Sequence, residues 1–309
     1  MPLLNLQIQI PALNEEELIG ETIDSIPKKI LGIRQITVVV IDDGSSDKTA
    51  EIARKHGADV ILTHSTNRGL SAAFQSGIGY AIKSGADIVV NLDADCQYSG
   101  EEVLNLVKPI ITGDLDVVIG DRQTDKIGEY SPLKKSLQRI GSRTVSRLVG
   151  YTIPDATSGF RAYSSRIFLL LHVSNKFTYT LETIVQLAAA GVNIGSIPVK
   201  SRVHLRKSRL FKSNFQYVRK NGLVLLVSHL QYFPGRLFIP LATLSLGMSL
   251  ISFSPFLLDY IYGANSGGHA QSFILGVAFA IATLQFISIW FIAHSLKSIR
   301  RNMLWQNLN

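Results

Sequence analysis

Two carboxylates that are two residues apart follow an apolar run of the chain. The run Ile88–Leu92 is rich in β-branched residues and leads into the letters D-A-D-C-Q. Residues two apart on an extended chain project to one side, so Asp93, Asp95 and the Gln97 amide can converge on one cation. Mg²⁺ and Mn²⁺ prefer such oxygen ligands and share them with substrate phosphates. The motif predicts a metal site, with a simple polar turn as the competing interpretation.

A second acid pair, Asp42 and Asp43, follows the apolar run Ile36–Ile41. A carboxylate just after a strand can accept hydrogen bonds from a base or a ribose, although Asp and Gly also serve turns for geometry alone. The first strand ends without a G-x-G-x-x-G or a G-x-x-x-x-G-K-[ST] motif. The usual NAD-binding and P-loop classes are therefore excluded at the position that they require.

Basic residues follow later in the chain. Arg122 closes a G-D-R after another apolar run, and Arg139, Ser142, Arg143 and Arg147 recur at helical spacings. Arginine forks match phosphate oxygens, so these residues are candidates for phosphate binding. A solvated basic helix face is the alternative.

Composition narrows the classes further. The single cysteine, Cys96, excludes an internal disulfide framework and multi-cysteine zinc sites. The seven histidines form no metal-ligand spacing. A net charge of +8 and a pI of about 9.5 suit an anionic partner such as a nucleic acid, a membrane surface or a phosphate-rich substrate. The basic segments do not present interleaved base-stacking aromatics on a recognisable nucleic-acid-binding module, which disfavours nucleic-acid binding.

From Leu4 to about Lys200 the sequence alternates between strand and helix patterns, and these elements must position the candidate residues. The predicted strands are Leu6–Ile10, Ile36–Ile41, Val60–Thr63, Ile88–Leu92 and Val117–Ile119, and the predicted helices are Glu15–Ile26, Asp47–His56, Gly69–Lys83 and Gly100–Ile111. This alternation predicts an α/β fold with a parallel sheet covered on both faces. Ligands of such sheets bind at the carboxyl ends of the strands.

A basic segment and two long apolar runs come next. No Asp or Glu occurs from Ile197 to Lys220, and the apolar stretch Asn221–Phe233 follows. A basic segment before an apolar helix is typical of a membrane-surface element, with a solvated basic helix as the alternative. Leu237–Leu257 and Ser272–Ala293 carry no charge over 21 and 22 residues. Each matches the ~20 residues that cross a bilayer, whereas a buried core hairpin is the alternative.

The predicted organisation has three parts. Residues 1–200 form a cytosolic catalytic domain, residues 201–235 a basic and amphipathic membrane-surface segment, and residues 236–309 two transmembrane helices at about 237–258 and 272–294 with a short cytoplasmic tail. Basic flanks at Arg236 and at Lys297, Arg300 and Arg301 place both ends of the hairpin in the cytoplasm. The first residues lack a signal-peptide pattern, so the expected location is a multi-pass cell-membrane protein with both termini cytoplasmic.

The motifs also occur in a familiar order. P-A-L-N-E, I-D-D-G-S, N-R-G, D-A-D-C-Q, G-D-R and T-S-G-F-R follow one another as in family 2 glycosyltransferases. The chain most closely resembles the dolichyl-phosphate mannose synthase and polyprenyl-phosphate sugar transferase branch, from Leu6 to Lys220. The resemblance implies a GT-A fold, which is a Rossmann-like nucleotide-diphospho-sugar transferase domain.

The resemblance also implies roles for individual residues. The nucleotide sugar would contact Pro11, Leu13, Asn14, Glu15, Asp43, Asp93, Ala94, Asp95, Arg122, Arg202 and Arg209. The metal would lie on Asp93, Asp95 and Gln97, and the acceptor phosphate near Arg139, Ser142 and Arg143. The family's R-x-x-G-x-S-K is altered here, because the glycine is missing and Arg209 replaces the lysine.

The expected reaction is an inverting, Mg²⁺- or Mn²⁺-dependent transfer of a hexose. The donor would be GDP-mannose or a UDP-hexose and the acceptor a polyprenyl phosphate, dolichyl or undecaprenyl, at the cytoplasmic membrane face. Asp95, Arg122 and Arg202 would carry catalysis. A family 2 transferase acting on a glycolipid or polysaccharide is one alternative, and a catalytically silent nucleotide-binding membrane scaffold is another. The sugar, the base and a homo-oligomeric state stay open.

Overall fold

A computed structural model describes residues 3–128, 130–173, 175, 178–202, 214–262 and 270–306. Backbone contacts divide the chain into two compact units, Met1–Ser228 and His229–Asn309. The expected boundaries of the catalytic domain and the surface segment stay predictions. Residues 203–213, which hold much of the expected basic segment, lie outside the described residues.

The described part of the first unit is built on a seven-stranded sheet. Its strands are β1 (Leu4–Ala12), β2 (Ile33–Asp42), β3 (Val60–Thr63), β4 (Ile88–Asn91), β5 (Val117–Asp121), β6 (Arg161–Ser164) and β7 (Ile194–Pro198). They lie in the order β3-β2-β1-β4-β6-β5-β7. Strand β6 runs antiparallel to β4 and β5, and the other described neighbours run parallel.

Helices cover both faces of the sheet. They are α1 (Ile19–Asp24), α2 (Thr49–Lys55), α3 (Leu70–Ser84), α4 (Glu102–Ile111), α5 (Pro132–Val149) and α6 (Thr180–Ala189). Successive strand residues point to opposite faces, so Leu6 and Ile8 of β1 join a core with α1 and α4. Gln7 points the other way, where its Nε2 donates to Gly77 O of α3 at 2.9 Å.

The α/β fold expected from the alternation is confirmed, but the all-parallel sheet is wrong in one strand. The sequence predicted neither β6 nor β7. For β6 the reason is that T-S-G-F-R, which leads into it, has the composition of a loop. The structure starts β6 at Arg161, directly after that turn. Helix α1 begins at Ile19 rather than at Glu15, because the residues between them form turns at the end of β1.

The second unit contains α8 (Pro234–Tyr262) and α9 (Ala270–Gln306), and α7 (Asn214–Tyr232) ends within it. Helices α8 and α9 pack against each other, with Ser245 and Ser249 donating to the carbonyls of Phe279 and Gly276, each at 2.9 Å. Pro234–Tyr262 and Ala270–Leu296 are long and apolar enough to span a membrane, and most of their residues are not buried. Two apolar helices are therefore present where the sequence placed them.

Candidate active site

The carboxyl ends of β1, β2, β4, β5 and β7 meet at one edge of the sheet, because these strands run parallel. Strand β6 runs the other way, so the loop before it, residues 155–160, lies at the same edge. The register sets Asn91 beside Arg161 and Asp121 beside Pro198. The strand-end motifs of the sequence therefore converge, as expected for an open α/β sheet.

Asp93 and Asp95 follow β4 at this edge, and both are half-buried. Burial, and then the negative charge of Asp95, raises the pKa of Asp93 to about 7. The loop before β6 packs directly against this carboxylate, since a Cβ added to Gly159 would lie 2.9 Å from both Asp93 oxygens. Among the described residues, none donates a hydrogen bond to the Asp93 carboxylate. Burial and the charge of Asp95 thus outweigh the charges of Arg122 and Arg161, which act to lower the pKa of Asp93.

This donor set fits a divalent cation that a substrate completes. Within the described ranges, no group of three or more His, Cys, Asp or Glu residues could hold a metal ion by itself. Mg²⁺, however, is usually bound by one or two carboxylates together with substrate phosphates and water. Asp93 and Asp95 supply that number, and a cation would relieve their repulsion.

The segment after β7 is tied to the loop that carries the two aspartates. Gln97 N donates to Asp95 Oδ1 at 3.1 Å, and Gln97 O accepts from Arg202 N at 2.7 Å. A bridge between Tyr98 and Ser201 adds to this connection. The Arg202 side chain is exposed and donates to Glu21 at 3.3 Å. Arg202 thus lies next to the loop, and its catalytic role stays a prediction.

Arg122 is held by a buried carboxylate that the sequence did not single out. Its Nε and Nη2 donate to the two oxygens of Asp155 at 2.6 and 2.9 Å, and Nη2 also donates to Thr157 at 2.9 Å. Burial alone would raise the pKa of Asp155, but the charge and hydrogen bonds of Arg122 outweigh burial and lower it. Arg122 therefore presents a fixed cation at the edge where a phosphate was expected.

The loop that contains Asp155 is fixed from inside by Arg161. This guanidinium is 1% exposed and donates to the carbonyls of Ala156, Ser158 and Thr180 at 2.8 to 2.9 Å. A buried arginine bound to carbonyl oxygens holds a turn in one conformation. The motif D-A-T-S-G-F-R contains both Asp155 and Arg161, but its composition predicted only a turn.

A cavity of about 630 Å³ opens beside Arg122, between the start of α4 and the ends of β5 and β7. It is lined by Glu102, Asn105, Arg122, Gln123, Lys126, Ile127, Gly128, Pro198, Val199, Lys200 and Ser201. Polar and cationic side chains predominate in this lining, so the cavity suits a hydroxylated or phosphorylated ligand.

Residues after β1 and β2 hold each other at the other end of the site. Asn14 Oδ1 accepts from Ser46 N at 2.8 Å, and Asn14 N donates to Ser45 Oγ at 2.9 Å. Glu15 N donates to Thr49 Oγ1 at 2.8 Å. Asp43 is buried, and its N donates to Ala12 O at 2.9 Å. The turns that carry Pro11, Leu13, Asn14, Glu15 and Asp43 are thereby brought together.

Unusual backbone conformations also mark this edge. Among the described residues other than glycine, only Asn14, Cys96 and Gln123 have positive φ, at 54°, 54° and 50°. They follow β1, β4 and β5, and such strain tends to collect at functional sites. The Cys96 thiol is buried against Thr22, and burial raises its pKa, which suits a packing role rather than a nucleophile.

Helix α5 carries the residues expected near the acceptor phosphate. Ser142 is buried and its Oγ accepts from Ala156 N at 3.2 Å, so it adjoins the loop that holds Arg122. Arg139 pairs with Asp125 at 2.8 Å, and both side chains are about half exposed. Arg139, Ser142 and Arg143 line one cavity of about 460 Å³. The structure brings these three together, whereas Arg209 lies outside the described residues.

Several known proteins resemble this chain in sequence. A sequence model of the family described as Glycosyl transferase family 2 matches residues 8–170. An uncharacterised protein of Methanocaldococcus jannaschii is 35% identical over 63% of this chain and 80% of its own length. The UDP-N-acetylglucosamine–dolichyl-phosphate N-acetylglucosaminyltransferase of Methanococcus voltae is 26% identical over 62% of this chain and 83% of its own length.

A solved structure shares the fold. The glucosyl-3-phosphoglycerate synthase of Mycobacterium tuberculosis, in complex with Mn²⁺, UDP and phosphoglyceric acid, superposes with a TM-score of 0.59. The match covers 74% of this chain and 78% of that chain at 19% identity. The GT-A fold expected from the motifs is confirmed.

Proposed function

The chain belongs to glycosyl transferase family 2, in the polyprenyl-phosphate sugar transferase branch, and we propose that it moves a hexose from a nucleotide sugar to a polyprenyl phosphate at a membrane. One observation carries the proposal. Asp93, Arg122 and Ser142 of α5 all contact a single loop, residues 155–160. A phosphate-rich donor and a phosphate acceptor can therefore meet at one edge of the sheet.

The donor is held by the turns after β1, β2 and β4. Asp93 and Asp95 would hold Mg²⁺ or Mn²⁺ together with the diphosphate, and Gln97 would add an amide oxygen. When bound, such a cation neutralises the charge of a nucleoside diphosphate leaving group. The relatives support this assignment, because one of them is named for a UDP-sugar donor. GDP-mannose and a UDP-hexose are both candidate donors.

The acceptor side needs no general base. A phosphate monoester has a second pKa of roughly 6 and is already anionic near neutral pH, unlike a sugar hydroxyl. Arg143 has no described hydrogen-bond or ion-pair partner and lines the cavity that Ser142 also borders. Arg122, fixed by Asp155, would share the phosphate charge. Positioning by these cations is then sufficient for an inverting displacement.

The membrane assignment rests on α8 and α9. In the most apolar 18-residue stretch of each helix, only 17% and 11% of the residues are buried. The apolar faces therefore lack the cover that a core helix of a soluble protein has. A bilayer would supply that cover. We place both ends of the hairpin in the cytoplasm, on the side where nucleotide sugars and the basic flanks lie.

A product assay tests the proposed function. The full chain in membranes is incubated with UDP- and GDP-sugars, Mg²⁺ and polyprenyl phosphate, and the lipid product is identified by mass. Asp95→Ala should abolish the product. Asp114→Ala makes the same change at an exposed aspartate in the loop before β5, far from the site, and as the matched control it should keep full activity. Near-normal transfer by Asp95→Ala would contradict the metal assignment, and absence of any lipid product would contradict the acceptor.

A further inference from the structure

Buried polar side chains cross the middle of the sheet and lead to the loop before β6. Gln9 Nε2 of β1 donates to Asn91 Oδ1 of β4 at 3.0 Å, and Asn91 Nδ2 donates to the Tyr179 hydroxyl at 2.8 Å. All three residues are 0 to 2% exposed or less and lie in the core. Buried polar groups are costly unless they are hydrogen-bonded, and a connected network holds its members in one arrangement. The network therefore fixes the Tyr179 hydroxyl inside the fold.

The network ends on one backbone carbonyl, that of Gly159. This oxygen accepts from Asn91 Nδ2 at 3.1 Å and from the Tyr179 hydroxyl at 3.0 Å. The Tyr179 ring is stacked on Phe74, with ring centroids 4.1 Å apart and an angle of 4° between the planes. Because this stack holds the ring, the hydroxyl cannot follow a displaced loop. Gly159 is thus anchored to the core from below.

Gly159 in turn lies against the Asp93 carboxylate. A Cβ added at Gly159 would lie 2.9 Å from both Asp93 oxygens and 3.1 Å from the Tyr179 hydroxyl. A carbon does not approach an oxygen to 2.9 Å without a shift, so a side chain at this position must displace either Asp93 or the loop. Gly159 is not among the glycines with positive φ. Space rather than backbone conformation therefore requires glycine here.

We infer that Tyr179 is a positioning residue for Asp93, the proposed metal ligand, and that it acts through Gly159. The Tyr179 hydroxyl fixes the Gly159 backbone, and that bare backbone fixes where the Asp93 carboxylate can lie beside Asp95. Residues that orient a metal ligand from behind typically affect metal affinity by about 10- to 100-fold. The inference rests on the proposed function, in which Asp93 and Asp95 hold the metal.

Metal binding by Tyr179→Phe tests this role. The variant removes the hydroxyl and keeps the ring that stacks on Phe74. Mn²⁺ binding to the purified full chain is measured by electron paramagnetic resonance with UDP present and, separately, with GDP present. The dissociation constant for Mn²⁺ should rise at least about tenfold. The affinity for the nucleotide without metal should not change, because only the metal ligand is displaced.

Tyr163→Phe is the matched control. Tyr163 is also buried and packs edge-on against the Phe74 ring, with centroids 5.7 Å apart, and its hydroxyl makes no described hydrogen bond to residues 155–160. Its Mn²⁺ affinity should equal that of the wild type, and thermal melts check that each variant is folded. Unchanged Mn²⁺ affinity in folded Tyr179→Phe, or an equal loss in both variants, would overturn the inference and leave the proposed function standing. If the wild type binds no Mn²⁺ with either nucleotide, the proposed metal site fails together with the inference.

Gly159→Ala tests the contact itself. The added methyl group displaces the Asp93 carboxylate or the loop, so Mn²⁺ affinity should fall at least as far as in Tyr179→Phe. Gly79→Ala makes the same change in α3, where a Cβ would meet nothing within 4 Å, and should leave Mn²⁺ affinity unchanged. Wild-type Mn²⁺ affinity in Gly159→Ala would overturn the inference, and this result is decisive even if Tyr179→Phe does not fold.

Discussion

The proposed donor side and the proposed acceptor side of the site are held in different ways. On the donor side, after β1 and β2, Asn14 and Asp43 accept hydrogen bonds from backbone amides of Ser46, Arg68 and Gly69. On the acceptor side, around α5 and the loop before β6, arginines pair with aspartates. Backbone amides are present whatever side chain their residue carries, so the donor side is largely a property of the fold. The acceptor side depends on each partner side chain.

The largest expected effect is on the acceptor side, at the buried pair of Arg122 and Asp155. Asp155→Asn leaves a guanidinium that is 11% exposed without its counter-charge. Breaking a buried pair in this way costs about 3–5 kcal/mol, and transfer should fall because Arg122 is no longer fixed. Chemical denaturation and kcat measurements check both effects. A loss of stability below about 1 kcal/mol would show that the pair does not hold this side.

The pH dependence of the same pair sharpens the comparison. The folded pKa of Asp155 lies below its ordinary value, so its stabilisation is complete above the unfolded pKa of ~3.9 and disappears as pH falls through the folded pKa. The stability difference between wild type and Asp155→Asn should therefore be constant from about pH 5 to pH 8 and shrink below about pH 4. Melts across this range measure it. A difference that declines between pH 8 and pH 5 would contradict this assignment.

Arg143 should affect the acceptor without affecting the donor. Arg143→Ala removes a cation from the α5 cavity, and we expect KM for polyprenyl phosphate to rise about tenfold, as for the loss of one charge-assisted hydrogen bond. KM for the nucleotide sugar should not change. Arg166→Ala is the control, because Arg166 is an exposed arginine beyond the opposite end of β6. Equal changes in both KM values would remove the distinction between the two sides.

Asn14 tests the donor side with a smaller effect. Asn14→Ala removes the hydrogen bond to Ser46 N and leaves at φ 54° a residue that, unlike asparagine, has no polar side chain to favour this conformation, so it should destabilise the chain by about 1–2 kcal/mol. Asn14→Gly also lacks the side chain but tolerates positive φ, and its loss should be smaller. Denaturation midpoints measure the difference. Identical losses would show that the backbone conformation contributes nothing.

The smallest effect is expected at the exposed pair of Arg139 and Asp125. Their side chains are 47% and 53% exposed, and such pairs contribute about 0–1 kcal/mol. Asp125→Asn should therefore barely change the melting temperature, in contrast to Asp155→Asn. The two substitutions make the same chemical change, so a large loss in Asp125→Asn would mean that burial does not explain the difference between the pairs.

Local patterns were sufficient for much of the fold and of the donor side. The apolar runs of β1 to β5 and of α8 and α9 could be recognised because strand and helix periodicities are short-range properties. The common direction of Asp93 and Asp95 could be predicted for the same reason, since residues two apart on an extended chain project to one side. The membrane orientation and the roles of Arg202 and Arg209 stay predictions.

What the sequence by itself determined was an α/β domain of the GT-A type with carboxylates at its strand ends, followed by two apolar helices. Only the tertiary structure decided that β6 runs antiparallel, that Asp155 pairs with Arg122, and that Asp43 accepts from the backbone amides of Arg68 and Gly69. Arg122 and Asp155 are 33 residues apart, and Asp43 meets amides 25 and 26 residues away. Partners at such separations are set by the order of strands in the sheet, which no local periodicity encodes.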